Sequence, residues 1–137
     1  MGRALQRGMN GRAQLFLCLY ALLVAPSFAL PFSQLAGDKN GWKASEWFGE
    51  FNDQHVPWIY HRDHGWIALD DQDGAEKGET GPVSWFDPVM GRIWTTPALY
   101  PKVFSYSRNT WLYYKSGTRD PRKFYDYAAE EWLEYDR

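Results

Sequence analysis

Aromatic residues and turn-formers follow one another along this chain in a recurring order, and that order constrains the fold more than any other feature. In SYSRNTWLYY (105–114) an aromatic segment runs into a short polar turn, and a Trp opens the return segment. Variants stand at YHRDHGW (60–66), FDPVMGRIW (86–94), YSRNTW (106–111) and YDYAAEEW (125–132). Large apolar residues on either side of Asp, Asn, Gly, Pro and Ser favour two antiparallel strands joined by a tight turn. The acidic, Gly-rich stretch 70–81 (DDQDGAEKGETG) interrupts this order and reads as an inserted loop. Without it the turn-proximal Trp66, Trp94, Trp111 and Trp132 recur roughly every twenty residues, the scale of a two-strand repeat. The expected fold is all-β, an array of about four antiparallel hairpins over 47–137, with the four Trp stacked as a structural core ladder.

The first 29 residues read differently. Arg3, Arg7 and Arg12 precede an apolar run, LFLCLYALLVA (15–25), and small residues stand at Ser27 and Ala29. This is the pattern of a secretory signal peptide, and the run is shorter than the ~20 residues a membrane-spanning helix needs. A retained anchor is the weaker alternative, and a lipoprotein signal does not suit Cys18, which follows the bulky Leu17. Residues 30–46 mix Pro, Gly, Ser and charge and are expected to form an irregular lead-in. The periodic part begins at Trp47.

Cleavage after Ala29 removes the single cysteine, so no disulfide framework is available to the rest. A chain of this size buries one modest core, and all eight Trp lie beyond the signal to fill it. Fifteen basic residues stand against seventeen acidic ones, and the basic ones are scattered, with no run longer than the pair Arg122-Lys123. Nucleic acid and anionic membrane surfaces are poor partners for such a surface.

Strand alternation places Trp58 and Tyr60 on one face and Ile59 and His61 on the other. It likewise sets Trp111 and Tyr113 opposite Leu112 and Tyr114. The stretches 58–66, 86–95 and 105–114 together resemble the aromatic hairpin repeats of bacterial choline-binding and glucan-binding modules. They resemble still more the short Trp-rich tails of secreted bacterial proteins. Gly65-Trp66 and Trp111-Leu112-Tyr113-Tyr114 match separate pieces of the choline-binding unit. The resemblance implies a hairpin array and does not extend to that family's ligand pocket.

Few residues invite chemistry. His55, His61 and His64, with Asp63 and Asp70 nearby, are weak candidates for a transition-metal site, because the spacing implies no fourth ligand. In the acidic loop Gly74 as the sixth position of a calcium loop would put Leu69 first and Thr80 twelfth, neither of them a suitable carboxylate. Glu130 and Glu131 are adjacent and point apart, while Ser105, Ser107 and Ser116 sit at turns, where hydroxyls cap backbone groups. No cofactor and no catalytic constellation is expected.

The aromatics remain, with Trp58, Tyr60 and Tyr113 as candidates for ligand contact by stacking on a sugar ring or on a quaternary ammonium. The expected role is a secreted, non-catalytic binding or adhesion module for an extracellular glycan or envelope component. The alternative is a structural or protein-protein interaction domain with every ring buried. The exported protein is expected to begin at Leu30, and intact-mass measurement of secreted material checks it. A mass retaining the first 29 residues refutes the secretion reading.

Overall fold

The computed structural model describes residues 31–70 and 77–137. The signal segment and residues 71–76 of the acidic loop, with the calcium reading made on them, lie outside the described residues. A short 3-10 turn at Phe32–Gln34 precedes β1 (Trp42–Ser45), β2 (Gly49–His55), β3 (Trp58–His61), β4 (Gly65–Leu69) and β5 (Val83–Asp87). Then come β6 (Gly91–Thr95), β7 (Lys102–Ser105), β8 (Thr110–Tyr114), β9 (Arg122–Asp126) and β10 (Glu131–Tyr135). All ten strands form one antiparallel sheet whose order is the chain order. The all-β hairpin expectation holds at that level.

The strands pair into five hairpins through tight turns, β1–β2, β3–β4, β5–β6, β7–β8 and β9–β10. The first of these is additional to the expected array: β1 occupies part of the stretch read as irregular lead-in, and Trp47 and Phe48 form a turn where a strand was expected to begin. It was missed because Ala44 stands where the later hairpins carry a ring, and Glu50 where three of them carry Trp.

One local rule closes every turn. The last residue of the first strand is a buried polar residue, Ser45, His61, Asp87, Ser105 or Asp126. Its side chain accepts a hydrogen bond from the backbone N–H three residues on: Ser45 from Phe48, His61 from His64, Asp87 from Met90, Ser105 from Arg108, and Asp126 from Ala129. His61, Asp87 and Asp126 accept a second from the N–H two residues on. This is the side-chain imitation of a backbone turn for which Asp and Ser are favoured. Four residues after the cap the chain turns left-handed, at Gly49, Gly65, Gly91, Asn109 and Glu130, with φ between 53° and 97°. Glycine takes that conformation without steric cost. At Gly65 it also makes room, since a Cβ there would stand 3.1 Å from Cβ of Arg137.

This register decides which side chains point where. The residue before each cap lies on the outer face, giving Tyr60, Phe86, Phe104 and Tyr125, and across the hairpin it meets Trp66, Arg92, Trp111 and Trp132. Trp94 is therefore not the equivalent of Trp66; it lies two residues farther on, between Ser84 and Phe104. The inner face carries Phe51, Ile59, Ile67, Val83, Ile93, Val103, Leu112 and Phe124, all buried.

The sheet coils so that this face covers itself. Phe48, in the first turn, packs against Trp85 and Tyr100, and His64, in the second, packs against Tyr114 and Phe124. The C-terminal segment completes the closure, with Arg137 Nη1 donating to the carbonyl of Arg62 at 2.6 Å. Arg119 pairs with Asp63 at 3.0 Å.

The Trp ladder is thus corrected in its burial. Trp66, Trp111 and Trp132 are 47%, 37% and 53% exposed, and Trp94 is half-buried. Aliphatic neighbours take the inner positions beside them, Ile67, Ile93, Leu112 and Leu133, because strand alternation allows only one of each adjacent pair to face the core. Leu112→Ala is expected to cost about 2 to 5 kcal/mol, the range for emptying a packed aliphatic site. Trp111→Ala should cost about 1 kcal/mol, the order of a lost aromatic pair. Urea unfolding of the two variants checks the assignment, and the reverse ranking refutes it.

Candidate functional site

Two regions carry chemistry, the outer face and a polar centre within the coil. On the outer face the rings run across strands in contact with one another. Trp42 and Tyr60 meet edge to face at 6.2 Å between centroids, and Tyr60 meets Trp66 at 5.4 Å. Trp94, Phe104 and Trp111 form a second group, with centroids 6.1 Å apart for the two Trp and 5.4 Å for Phe104 and Trp111. Tyr125 joins Tyr127 and Trp132 in a third. These pairs are perpendicular or nearly so, the arrangement the ring quadrupole favours. Arg92 lies over Tyr106 at 5.9 Å, and Lys102 over Tyr127 at 5.4 Å.

The polar centre gathers His61, His64, Asp87, Tyr100, Tyr114 and Arg122, drawn from opposite ends of the sheet. Arg122 and Asp87, both 1% exposed at the side chain, form a buried ion pair at 2.6 Å. Arg122 Nη2 also donates to the carbonyl of Asp136 at 2.7 Å. Taking two charges out of water is costly unless the pair is close and further hydrogen-bonded. Both conditions hold, since Asp87 Oδ1 also caps its turn. His64 shares a 2.9 Å hydrogen bond between Nε2 and the Tyr100 hydroxyl. Three buried nitrogens, His64 Nδ1, Trp85 Nε1 and Arg122 Nε, have no hydrogen-bond partner among the described residues.

No family model, curated protein or solved structure matches this chain. The reading of its function rests on its own geometry.

That geometry divides the residues singled out in the sequence. Trp58, Tyr60 and Tyr113 all lie on the outer face; Trp58 is 39% and Tyr113 37% exposed, while Tyr60 is half-buried against its neighbours. The three histidines are not brought together. His61 and His64 meet at 4.7 Å between ring centroids, but His55 sits at the exposed end of β2 against Trp66. Among the described residues no three His, Cys, Asp or Glu converge on a point that could hold a metal ion. Asp87, Tyr100 and Arg122 were missed, because Arg122 follows a Pro in an otherwise plain strand, 35 residues from its partner. The visible signal was the buried-cap position, where Asp87 and Asp126 recur before their turns.

Burial sets the protonation of the centre. It holds the His61 imidazole down to about 4, outweighing the hydrogen bond to Phe48 and the charge of Asp63, and it holds His64 well below the ordinary value. His61 Nδ1 accepts from two backbone N–H groups, so the proton sits on Nε2, which donates to the Phe48 carbonyl at 2.6 Å. The same burial raises the Tyr100 hydroxyl and pushes that of Tyr114 up to about 12.

A stability profile follows. An imidazole depressed in the folded state takes its proton first in the unfolded state, so stability is full above the unfolded value near 6.5 and falls as pH drops toward the folded value of about 4. His61 alone accounts for about 3 kcal/mol over that window, and His64 acts with the same sign. Urea unfolding between about pH 7 and pH 4 checks it, and a flat profile rejects the buried neutral imidazoles.

Proposed function

We propose that this chain is a secreted, non-catalytic binding module whose outer aromatic face holds an extracellular glycan or a carbohydrate-bearing envelope component. The observation that carries the reading is the exposure of Trp58, Trp66, Phe86, Trp111, Tyr113 and Trp132 together on one face of one sheet. Contiguous exposed apolar area on a small soluble domain marks an interaction surface. Trp and Tyr suit a sugar, since the ring plane covers the C–H face of a pyranose while N–H and O–H groups meet its hydroxyls. The inner-face residues already fill the core, and these rings lie outside it. Among the described residues no helix is long and apolar enough to cross a membrane.

A second reading has one observation in its favour. The outer rings pack edge to face on each other, as they would in a surface that docks on a protein. A glycan array probed with the secreted chain separates the two. Binding to a defined saccharide, weakened tenfold or more by Trp66→Ala and by Trp111→Ala while both variants stay folded at the assay temperature, supports the glycan reading. An empty array rejects it in favour of a protein partner.

A further inference from the structure

We propose that the outer face over β7, β8 and β9 binds an acidic polysaccharide, one whose sugar rings carry carboxylate or sulfate groups, through three lysines set around Tyr113. The proposal rests on the reading of that face as a glycan surface and adds the charge of the glycan.

The three lysines come together only in the sheet. Lys102 opens β7, Lys115 follows β8, and Lys123 lies in β9. Their chain neighbours Val103, Tyr114, Arg122 and Phe124 are buried on the inner side, so strand alternation turns all three lysines outward. Lys102 stands opposite Tyr113, and Tyr113 stands opposite Tyr125. The Lys115 N–H donates to the Lys123 carbonyl at 2.9 Å, which sets those two residues opposite each other as well. Two strand spacings separate β7 from β9, about 10 Å. Along β8 the outward residues are Trp111, Tyr113 and Lys115 in succession.

Their charge is not spent within the protein. Among the described residues neither Lys102 nor Lys115 has a carboxylate partner, and Lys123 reaches Glu134 only at 3.9 Å, with both side chains exposed. An exposed pair of that kind contributes little. Arg92, on the same face, is by contrast paired with Asp70. Like charges directly opposite on neighbouring strands are destabilising, so Lys115 and Lys123 gain from an anion placed between them.

Lys102 supplies the contact nearest the rings. Its ammonium lies over the Tyr127 ring at 5.4 Å from the centroid, at a cavity of about 340 Å³ bounded by Leu99, Lys102, Trp111 and Tyr127. That volume is near the small end of the ~300 to 1,000 Å³ spanned by ligand sites and suits one sugar ring. The contact with Tyr127 runs through the ring face, and an ammonium has three N–H donors to offer an anionic group. A saccharide bearing acidic groups carries a C–H face for stacking and a charge on the same residue, which matches rings and lysines that alternate along β8. Lysine is a point charge and takes carboxylate or sulfate alike. Glu134 at the margin of the patch disfavours a polymer charged at every step, as a nucleic-acid strand is at ~3.4 Å intervals.

Isothermal titration calorimetry on the secreted chain tests the proposal. The probes are polygalacturonate for the carboxylate and dextran sulfate for the sulfate, with dextran and cello-oligosaccharides as neutral comparators. Inorganic phosphate serves as a lone anion and oligothymidylate as a polyanion without sugar acids. The expected result is that one of the acidic polysaccharides binds at least about tenfold tighter than any comparator, and that salt at about 0.5 M screens the binding away. Replacing all three lysines, Lys102→Gln, Lys115→Gln and Lys123→Gln, is expected to weaken it at least tenfold, while the three Lys→Arg changes together retain it. Tyr113→Ala is expected to weaken it severalfold at unchanged charge. Binding of a neutral saccharide that is indifferent to the lysine changes, with no preference for the acidic ones, overturns the acidic assignment and leaves the glycan face standing. No binding of any saccharide overturns both. Oligothymidylate or phosphate binding as tightly as the acidic polysaccharides overturns the proposal in favour of a general anion patch.

Discussion

A buried side-chain acceptor at the mouth of each turn is the interaction on which the rest of the molecule depends. Ser45, His61, Asp87, Ser105 and Asp126 are the last residues of their strands, and each must face inward for its oxygen or nitrogen to reach the N–H groups of the turn. Once that residue is inward, strand alternation fixes every neighbour: the residue before it goes out, and the residue two before it goes in. The left-handed residue four positions later then returns the chain in register. A one-residue slip would carry the outer rings into the core and expose the inner face.

The same caps also connect hairpins to each other. Asp87 closes its own turn and holds Arg122 of the fifth hairpin. Asp126 closes the last turn and pairs with Arg108 of the fourth at 2.8 Å. His61 closes the second turn and donates to the Phe48 carbonyl of the first. Ser107, beside the fourth cap, donates to the Met90 carbonyl of the third turn at 2.7 Å. Turn formation and the coiling of the sheet are therefore enforced by overlapping sets of atoms. The polar centre results from that overlap, and its unpaired nitrogens lie where the coil brings the second turn against the fifth hairpin.

The hairpin class was legible in the sequence because aromatic alternation and turn chemistry agree over most of the chain. Face assignments within single strands were legible too: Trp58 with Tyr60, and Leu112 with Tyr114, fall where period two puts them. Which face is the core was not. Both faces carry large apolar side chains, and only the caps distinguish them; a buried Asp87 or His61 is read most simply as a surface residue. The first hairpin escaped notice because its cap, Ser45, follows Ala44 where the other hairpins have a ring, and Glu50 faces Ala44 across the hairpin. The polar centre could not be read at all, since His64 and Arg122 are joined by coiling and not by any spacing within a repeat.

Separating the two faces leaves the outer rings free of the core, while the contacts that set the backbone are made within a few residues of each cap. Such contacts close small loops, and small loops close fast. Each hairpin pairs with its neighbour in chain order. The long-range contacts, Arg137 on Arg62, Arg119 on Asp63 and Arg122 on Asp87, join segments 35 to 75 residues apart. Those made by Arg122 and Arg137 cannot form until the fifth hairpin is present. For a chain that emerges from its N-terminus, the sheet is assembled progressively, and its closure is the last step to be completed.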